Sequence, residues 1–241
     1  DSPVGPLNGL YQGKLEFSNP KTAYFVLNAF DYWMYPKKDQ IGLVAEYNFL
    51  TKELKADFSQ QENYMTKSAV NLPDKFTYPF IESTSEALYL SFPWDHNVYK
   101  YDLDNMDLVE KACLSSIYFD KLMSPLRKNS DTQESINLQI AAPYYGQVNY
   151  HQDLNIFSRV VFHENQLHLP DGTLNLSSCE RSYSLILFDK NLKLIDEINL
   201  GNNDLWEIAI STSNGYLVVG KCQNYSGEDY FKINVAYEIL Q

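Results

Sequence analysis

One stretch decides the fold: Asn97-Val98-Tyr99-Lys100-Tyr101-Asp102, a short polar turn, and then Asp107-Leu108-Val109-Glu110-Lys111-Ala112. Both segments alternate, which places every second side chain on one face of a sheet. The first ends in an aromatic residue and an aspartate. An Asp or Asn side chain at that point can accept hydrogen bonds from the backbone of the following turn and tolerates unusual φ and ψ there. The stretch therefore predicts a β-hairpin.

The same unit returns along the chain at residues 42–58, at 184–198, and at 232–238 without its return strand. A second hairpin pattern precedes each copy, and we place it at residues 15–27, 80–90, 160–169 and 208–219. In the third of these, Glu164-Asn165 is interpreted as a two-residue turn. Two hairpins per unit predict a four-stranded antiparallel meander, which is the blade of a β-propeller.

We therefore expect an all-β chain, a β-propeller with about four blade signals, organised as a single domain over residues 1–241. Four signals are few for a closed ring, and the fourth lacks its outer strand, so we expect the chain to form part of a larger ring. The interval between Tyr101 and Phe188 is longer than the others by about 35 residues. This predicts a polar insertion at 116–147, with a weak helical pattern at 117–126.

Net charge, apolar runs and cysteine spacing exclude several classes of partner and site. The formal net charge is −12, which repels phosphate backbones, and we expect no nucleic-acid partner. No apolar run approaches the ~18 residues of a membrane helix, so we expect no transmembrane segment. The widely spaced cysteines Cys113, Cys179 and Cys222 form no metal or redox motif, and each is expected to be a small buried side chain. We expect no cofactor and no metal.

Three segments resemble a known family: 88–93, 98–103 and 187–192. They are similar to propeller lipoproteins of unknown function from the Bacteroidetes cell envelope, which are six-bladed and TolB-like. The resemblance implies export and a location in the periplasm or outer cell envelope, with a lipid anchor in the full-length protein. It carries no catalytic residues over to this chain.

Two sequence motifs were weighed as metal sites. His163-Glu164-Asn165-Gln166-Leu167-His168 has its second His at the wrong spacing for a zinc protease helix. The segment 102–107 has an Asp where a calcium loop requires Gly, and a turn between strands explains it better.

The connections between second and third blade strands carry the most suggestive residues, since equivalent connections leave a propeller on one face. Aromatic rings there lie next to or near carboxylates, and such pairs suit sugar rings or peptide segments. The predicted ligand-binding residues are Asp31, Trp33, Tyr35, Trp94, Asp95, His96, Tyr225 and Asp229.

Two functions are open at this point, beside a third possibility, a purely structural module in a larger envelope assembly. The first is a non-enzymatic binding or scaffold module at the cell envelope, which would hold a peptide, protein or glycan on the aromatic-acidic loop face. The alternative is a propeller hydrolase or lyase acting on carbohydrate or a lactone, which needs polar residues at matching positions of the innermost strands. The candidates for that role are Glu16, Glu82, His163 and Ser211. Catalytic residues are otherwise unknown, and an enzyme is the weaker hypothesis.

Overall fold

A computed structural model describes residues 10–19, 21–27, 44–57, 79–118, 132–175, 181–201, 205–211, 216–221 and 232–238. The described strands form four antiparallel sheets in chain order, each a simple meander. The first contains β1 (Leu10–Asn19), β2 (Thr22–Leu27), β3 (Val44–Asn48) and β4 (Glu53–Asp57). The second contains β5 (Phe80–Ser83), β6 (Ala87–Ser91), β7 (Asn97–Asp102) and β8 (Leu108–Cys113).

The third sheet contains β9 (Tyr144–His151), β10 (Ile156–Phe162), β11 (Tyr183–Phe188) and β12 (Leu194–Gly201). The fourth has three strands among the described residues, β13 (Leu205–Ser211), β14 (Tyr216–Lys221) and β15 (Lys232–Glu238). A helix, α1 (Thr132–Ala141), precedes the third sheet. The all-β fold and the four-stranded antiparallel blades are as predicted.

Burial along the strands fits propeller blades. Every residue of β6, β10 and β11 is buried, although successive side chains of a strand point to opposite faces. The outer strand β8 alternates between half-buried and exposed residues, and four of the eight residues of β12 are exposed. Middle strands covered on both faces and open outer strands are expected where blades pack face to face.

Each aromatic-Asp/Asn unit builds the turn that the sequence predicts. Asn48 Oδ1 accepts the amides of Leu50 and Thr51 at 2.9 and 3.1 Å. Asp102 Oδ1 accepts those of Asp104 and Asn105 at 2.8 and 3.2 Å. In the third copy, Asp189 Oδ1 accepts the amides of Asn191 and Lys193 at 2.8 and 2.9 Å. The turns contain left-handed residues at Lys52, Met106 and Leu192.

The third repeat is assembled differently from the prediction. Residues 156–162 form the second strand of the sheet. β9, part of which lies inside the predicted insertion, pairs with them as the first strand. The Glu164-Asn165 hairpin is therefore wrong. Asn165 instead donates its amide to Ala141 O at 3.0 Å. β9 and β10 are joined by a short turn at residues 152–155, in which Leu154 donates its amide to His151 O and Asn155 is left-handed. This turn lacks the aromatic-Asp/Asn pattern on which the predicted hairpins rest.

Helical structure appears at α1, inside the predicted 116–147 insertion and after the predicted 117–126 segment. Residues 144–147 belong to β9, so the insertion ends earlier than predicted. Residues 119–131 lie outside the described part. Cys113 is exposed, contrary to its expected burial, whereas Cys179 and Cys222 lie outside the described residues.

The chain divides into two compact units, and each has its own core. Residues 1–112 and 124–131 form one unit, and 113–123 and 132–241 form the other. In the first unit, Tyr24, Val26 and Val44 join a cluster with residues of the second sheet. In the second unit, Val160, Phe162 and Leu185 belong to a cluster on one face of the third sheet. A single domain over 1–241 stays a prediction.

Candidate functional site

The β6–β7 connection holds three predicted ligand residues, and the Trp94 ring is not exposed. Only 6% of Trp94 is accessible, and Phe92 beside it is fully buried. Trp94 is therefore packed within the protein, and its role in ligand binding stays a prediction. His96 is half-buried.

The Asp95 carboxylate accepts hydrogen bonds within its own turn and from the start of β7. Its Oδ1 accepts the Asn97 amide N–H at 2.9 Å and the Asn97 side-chain amide at 2.5 Å. Its Oδ2 accepts the Tyr99 hydroxyl at 2.5 Å. These bonds fix the start of β7 and use both carboxylate oxygens. A ligand role for Asp95 would have to compete with them, and it stays a prediction.

The other predicted ligand residues lie outside the described part of the chain. They are Asp31, Trp33, Tyr35, Tyr225 and Asp229. Their role in binding stays a prediction.

The proposed inner-strand set does not occupy matching positions. Glu16 lies in β1, Glu82 is buried in β5, and Ser211 ends β13, all of which are first strands. His163 instead follows β10, a second strand. The prediction that His163 belongs to an innermost strand is therefore wrong. The reason is the misplaced third hairpin described above.

A polar cluster on the third sheet was not predicted. Residues 114–118, here called the strap, follow β8 and are held by side chains of β9, β10 and β12. The Ile117 amide N–H donates to Glu197 Oε2 at 2.8 Å. The Ser116 hydroxyl donates to Glu197 Oε1 at 2.7 Å.

Two buried side chains complete the attachment of the strap. Tyr145 Oη accepts the Ser116 amide N–H at 3.0 Å, and an Arg159 Nη donates to Leu114 O at 3.4 Å. The Arg159 guanidinium lies 3.5 Å from the centre of the Tyr145 ring. Both Arg159 and Tyr145 are fully buried. Burying polar groups is costly unless they are hydrogen-bonded, and here their partners include the strap.

His163, Ser184 and Glu197 form a chain of hydrogen bonds in the same cluster. Ser184 donates its hydroxyl to Glu197 Oε1 at 2.5 Å, and His163 Nε2 lies 3.0 Å from Ser184 Oγ. A serine hydroxyl has one proton, so His163 must donate to Ser184 rather than accept from it. A serine nucleophile needs the opposite arrangement, with the imidazole accepting the proton. Ser184 is also fully buried, so a substrate has no access to it.

Burial and nearby charges set the protonation of this cluster. Desolvation lowers the pKa of His163, Glu197 acts in the opposite direction, and Arg181 lowers the pKa further. The imidazole is therefore neutral at pH 7, and the hydrogen bond to Ser184 places its one N–H at Nε2. Desolvation also raises the pKa of Tyr145 to about 12, although Arg159 favours its ionised form.

The long β10–β11 connection is anchored on α1. Buried Arg181 donates to Ala142 O at 3.1 Å and also to Ile140 O, at the carboxyl end of the helix. A cation there compensates the unpaired carbonyls of the last turn. Desolvation lowers the pKa of Arg181, while Tyr144 and Tyr183 raise it. Arg181, two residues before β11, is thereby held at the carboxyl end of α1.

The strap presents apolar side chains to solvent. Ile117 is 72% exposed and Tyr118 41% exposed, and the Tyr118 ring stacks on His163 at 4.6 Å between centroids. On β12, Leu194 and Ile195 are 48% and 49% exposed. The sequence contained one signal for this region, since Glu197 is a carboxylate inside an alternating strand. No local sequence pattern connects Glu197 with Ile117.

Among the described residues, no group of three or more His, Cys, Asp or Glu side chains could hold a metal ion. In the same part of the chain, no helix is long and apolar enough to cross a membrane. The absence of a metal and of a cofactor stays a prediction.

Comparison with known proteins gives a likeness of fold. The chain resembles the crystal structure of a member of the DUF4221 family from Bacteroides vulgatus, with 14% identity and a TM-score of 0.64. The match covers 85% of this chain and 56% of that one, so the chain spans about half the length of this neighbour. An acylaminoacyl peptidase in complex with Z-Gly-Gly-Phe-chloromethyl ketone matches at 9% identity and a TM-score of 0.48, over 98% of this chain and 33% of the other.

No family model matches the chain. No curated protein matches it either. The likeness to a Bacteroides protein from a family of unknown function agrees with the coarser part of the resemblance seen in the sequence. Six blades, TolB-like character and lipidation stay predictions.

Proposed function

We propose that this chain is a non-enzymatic binding or scaffold module of the cell envelope, which holds a peptide, a protein or a glycan. One observation carries the proposal. Buried or half-buried side chains of three strands hold the strap in place, while the strap exposes Ile117 and Tyr118. The location in the periplasm or outer envelope rests on the resemblance to envelope propellers, including the expected lipid anchor.

A fixed strap favours binding because little conformational entropy is lost when a ligand docks. Ordering a loop and its side chains on association costs free energy, and preorganised segments avoid that cost. The amide N–H of Ile117, and the amide N–H and hydroxyl of Ser116, already donate hydrogen bonds to side chains of the sheet. Exposed apolar side chains on a segment that is held in place are typical of the anchor residues of a binding surface.

The alternative, a hydrolase or lyase, receives less support from the same cluster. Ser184 is fully buried and donates its hydroxyl hydrogen bond to Glu197. His163 is committed as a donor to Ser184. We therefore interpret these groups as the support of the strap.

The experiment is a binding screen of the purified 241-residue protein on peptide and glycan arrays. The double variant Ile117→Ser/Tyr118→Ser should lose the binding observed for the natural sequence. The control is Val109→Ser, which changes another exposed apolar residue, 60% accessible, on β8. Binding that survives the double variant, or a hydrolytic activity lost in Ser184→Ala, would contradict the proposal.

A further inference from the structure

We propose that the turn between β3 and β4 is a membrane-contact site, at which Phe49 and Leu50 enter the headgroup region of an anionic bilayer and neighbouring lysines bind lipid phosphates. This turn, residues 48–53, is here called the first-sheet tip. The inference goes beyond the proposed function and does not depend on it, because the tip belongs to the first sheet and the strap is held by the third.

Hydrogen bonds hold the first-sheet tip in one conformation. Asn48 Oδ1 accepts two amides of the turn, and the Lys52 amide donates to Asn48 O at 2.8 Å. The Phe49 amide donates to Lys21 O at 2.8 Å, which joins the tip to the turn between β1 and β2. The Phe49 ring packs edge-on against Tyr47, with 5.0 Å between centroids. A binding partner therefore meets a turn that is already ordered, and little conformational entropy is lost on contact.

Two adjacent apolar side chains are exposed in this ordered turn. Phe49 is 46% exposed and Leu50 is 68% exposed. Residues 49–53 are all exposed, so solvent reaches the turn along its length. Consecutive Cα atoms are about 3.8 Å apart, so a surface that reaches one of the two side chains also reaches the other.

The turn does not need an apolar residue at position 50 for its own structure. The β7–β8 turn has the same backbone hydrogen bond between its first and fifth residues, and the fifth residue is left-handed in both turns. The third residue is Leu50 in the first-sheet tip and exposed Asp104 in the β7–β8 turn. In the β11–β12 turn the third residue is exposed Asn191. Because a polar residue suffices there, the exposed leucine points to a contact outside the sheet.

The size of the first-sheet tip favours a membrane over a folded protein partner. A stable protein interface buries about 800 Å² of each partner. Two side chains at the end of one hairpin do not supply that area. The interface of a bilayer, in contrast, accepts a few apolar side chains without a complementary pocket, and binding strengthens with the apolar area that is buried.

Local charge complements anionic headgroups. Among the described residues of the β1–β2 and β3–β4 turns, the charged side chains are Lys21, Lys52 and Glu53, and all three are exposed. Exposed Lys55 follows on β4, opposite half-buried Glu46. Positive charge therefore exceeds negative charge at the tip, in contrast to the net charge of −12 on the whole chain. Screening at physiological salt acts over about 8 Å, so the lysines at the tip dominate its interaction with a surface.

The test measures co-sedimentation of the purified 241-residue protein with lipid vesicles. Vesicles of phosphatidylethanolamine and phosphatidylglycerol should bind the protein more strongly than vesicles of phosphatidylcholine, and added salt should weaken binding to the anionic vesicles. Phe49→Ser and Leu50→Asp should each lower the partition coefficient at least tenfold. Lys52→Asn removes the charge but keeps a residue that tolerates the left-handed conformation, and it should weaken binding to the anionic vesicles several-fold.

Two controls separate membrane contact from loss of folding. Val109→Ser changes an exposed apolar residue on β8 and should leave the partition coefficient unchanged. Leu50→Asp introduces the residue type that the β7–β8 turn already has at the same place, so its melting temperature should stay close to that of the natural sequence.

Absence of binding to both kinds of vesicle would overturn the inference. Binding that Phe49→Ser and Leu50→Asp leave unchanged would do the same. Self-association that is lost in Leu50→Asp would assign the first-sheet tip to a second copy of the chain instead. Binding to the peptide and glycan arrays should be the same for Leu50→Asp and the natural sequence, so the proposed function and this inference can fail separately.

Discussion

Glu197 on β12 accepts the amide N–H of Ile117 at 2.8 Å, across 80 residues of sequence. The same carboxylate accepts the hydroxyls of Ser116 and Ser184 at 2.7 and 2.5 Å. One side chain therefore joins the strap to two neighbouring strands. Because the carboxylate is charged and half-buried, its hydrogen bonds are stronger than neutral ones.

Removing this carboxylate should release the strap. We expect Glu197→Ala to lower the free energy of unfolding by about 3 kcal/mol, because three donors lose their acceptor. Hydrogen exchange at the Ile117 amide should accelerate in this variant. Glu197→Gln keeps an acceptor oxygen and should have an intermediate effect. Unchanged protection of the Ile117 amide in Glu197→Ala would show that Tyr145 and Arg159 hold the strap without it.

Trp94 should behave as a core residue. It is 6% exposed, so Trp94→Ala should cost on the order of 3–5 kcal/mol. Tyr118→Ala, which removes a 41% exposed ring stacked on His163, should cost about 1 kcal/mol or less. Chemical denaturation of both variants compares the two rings directly. A small loss of stability for Trp94→Ala would show that this ring is not part of the core.

Gly146 in β9 should tolerate no side chain. A Cβ atom at this position would lie 2.6 Å from Cε2 of Phe162, whose ring stacks on Tyr144 at 4.2 Å between centroids. Gly146→Ala should therefore destabilise the protein by about 1–3 kcal/mol. As a matched control, Gly146→Ala is also introduced into a Phe162→Leu variant, in which the added methyl group has more space. If Gly146→Ala costs the same in both backgrounds, the close approach to Phe162 is not the cause.

Stability should fall in mild acid because of a buried histidine. His151 is 2% exposed, its Nε2 lies 2.7 Å from Ser158 Oγ, and burial lowers its pKa from 6.5 to about 4. The folded state therefore favours neutral His151. Its contribution is complete above about pH 6.5 and is lost as the pH falls toward 4, by about 3 kcal/mol in total.

Denaturation curves at pH 7.5, 5.5 and 4 would measure this loss. His151→Gln retains a hydrogen-bonding side chain and does not titrate in that range. It should therefore lose less stability than the natural sequence between pH 6.5 and 4. Parallel curves for the two proteins would assign the acid sensitivity to other groups.

The hairpin turns could be predicted from the sequence because their interactions are local. Asn48, Asp102 and Asp189 each bond to amides two to four residues ahead. The residues of each turn therefore suffice to predict its geometry. The alternating residues on either side predict the flanking strands. Repetition of the unit then predicts the four-stranded sheets. A strand such as β9, which the structure places beside β10, had no turn of this type to mark it.

The sequence by itself determined that this chain forms successive antiparallel meanders with Asp or Asn at the aromatic-ended turns. Only the tertiary structure decided that Trp94 is buried and that the strap lies against Glu197. The physical reason is the separation in sequence between the groups that interact. A turn is stabilised by bonds within a few residues, whereas burial of a ring or attachment of a strap depends on groups as far as 81 residues away. Such a partner is close only after the sheets have formed.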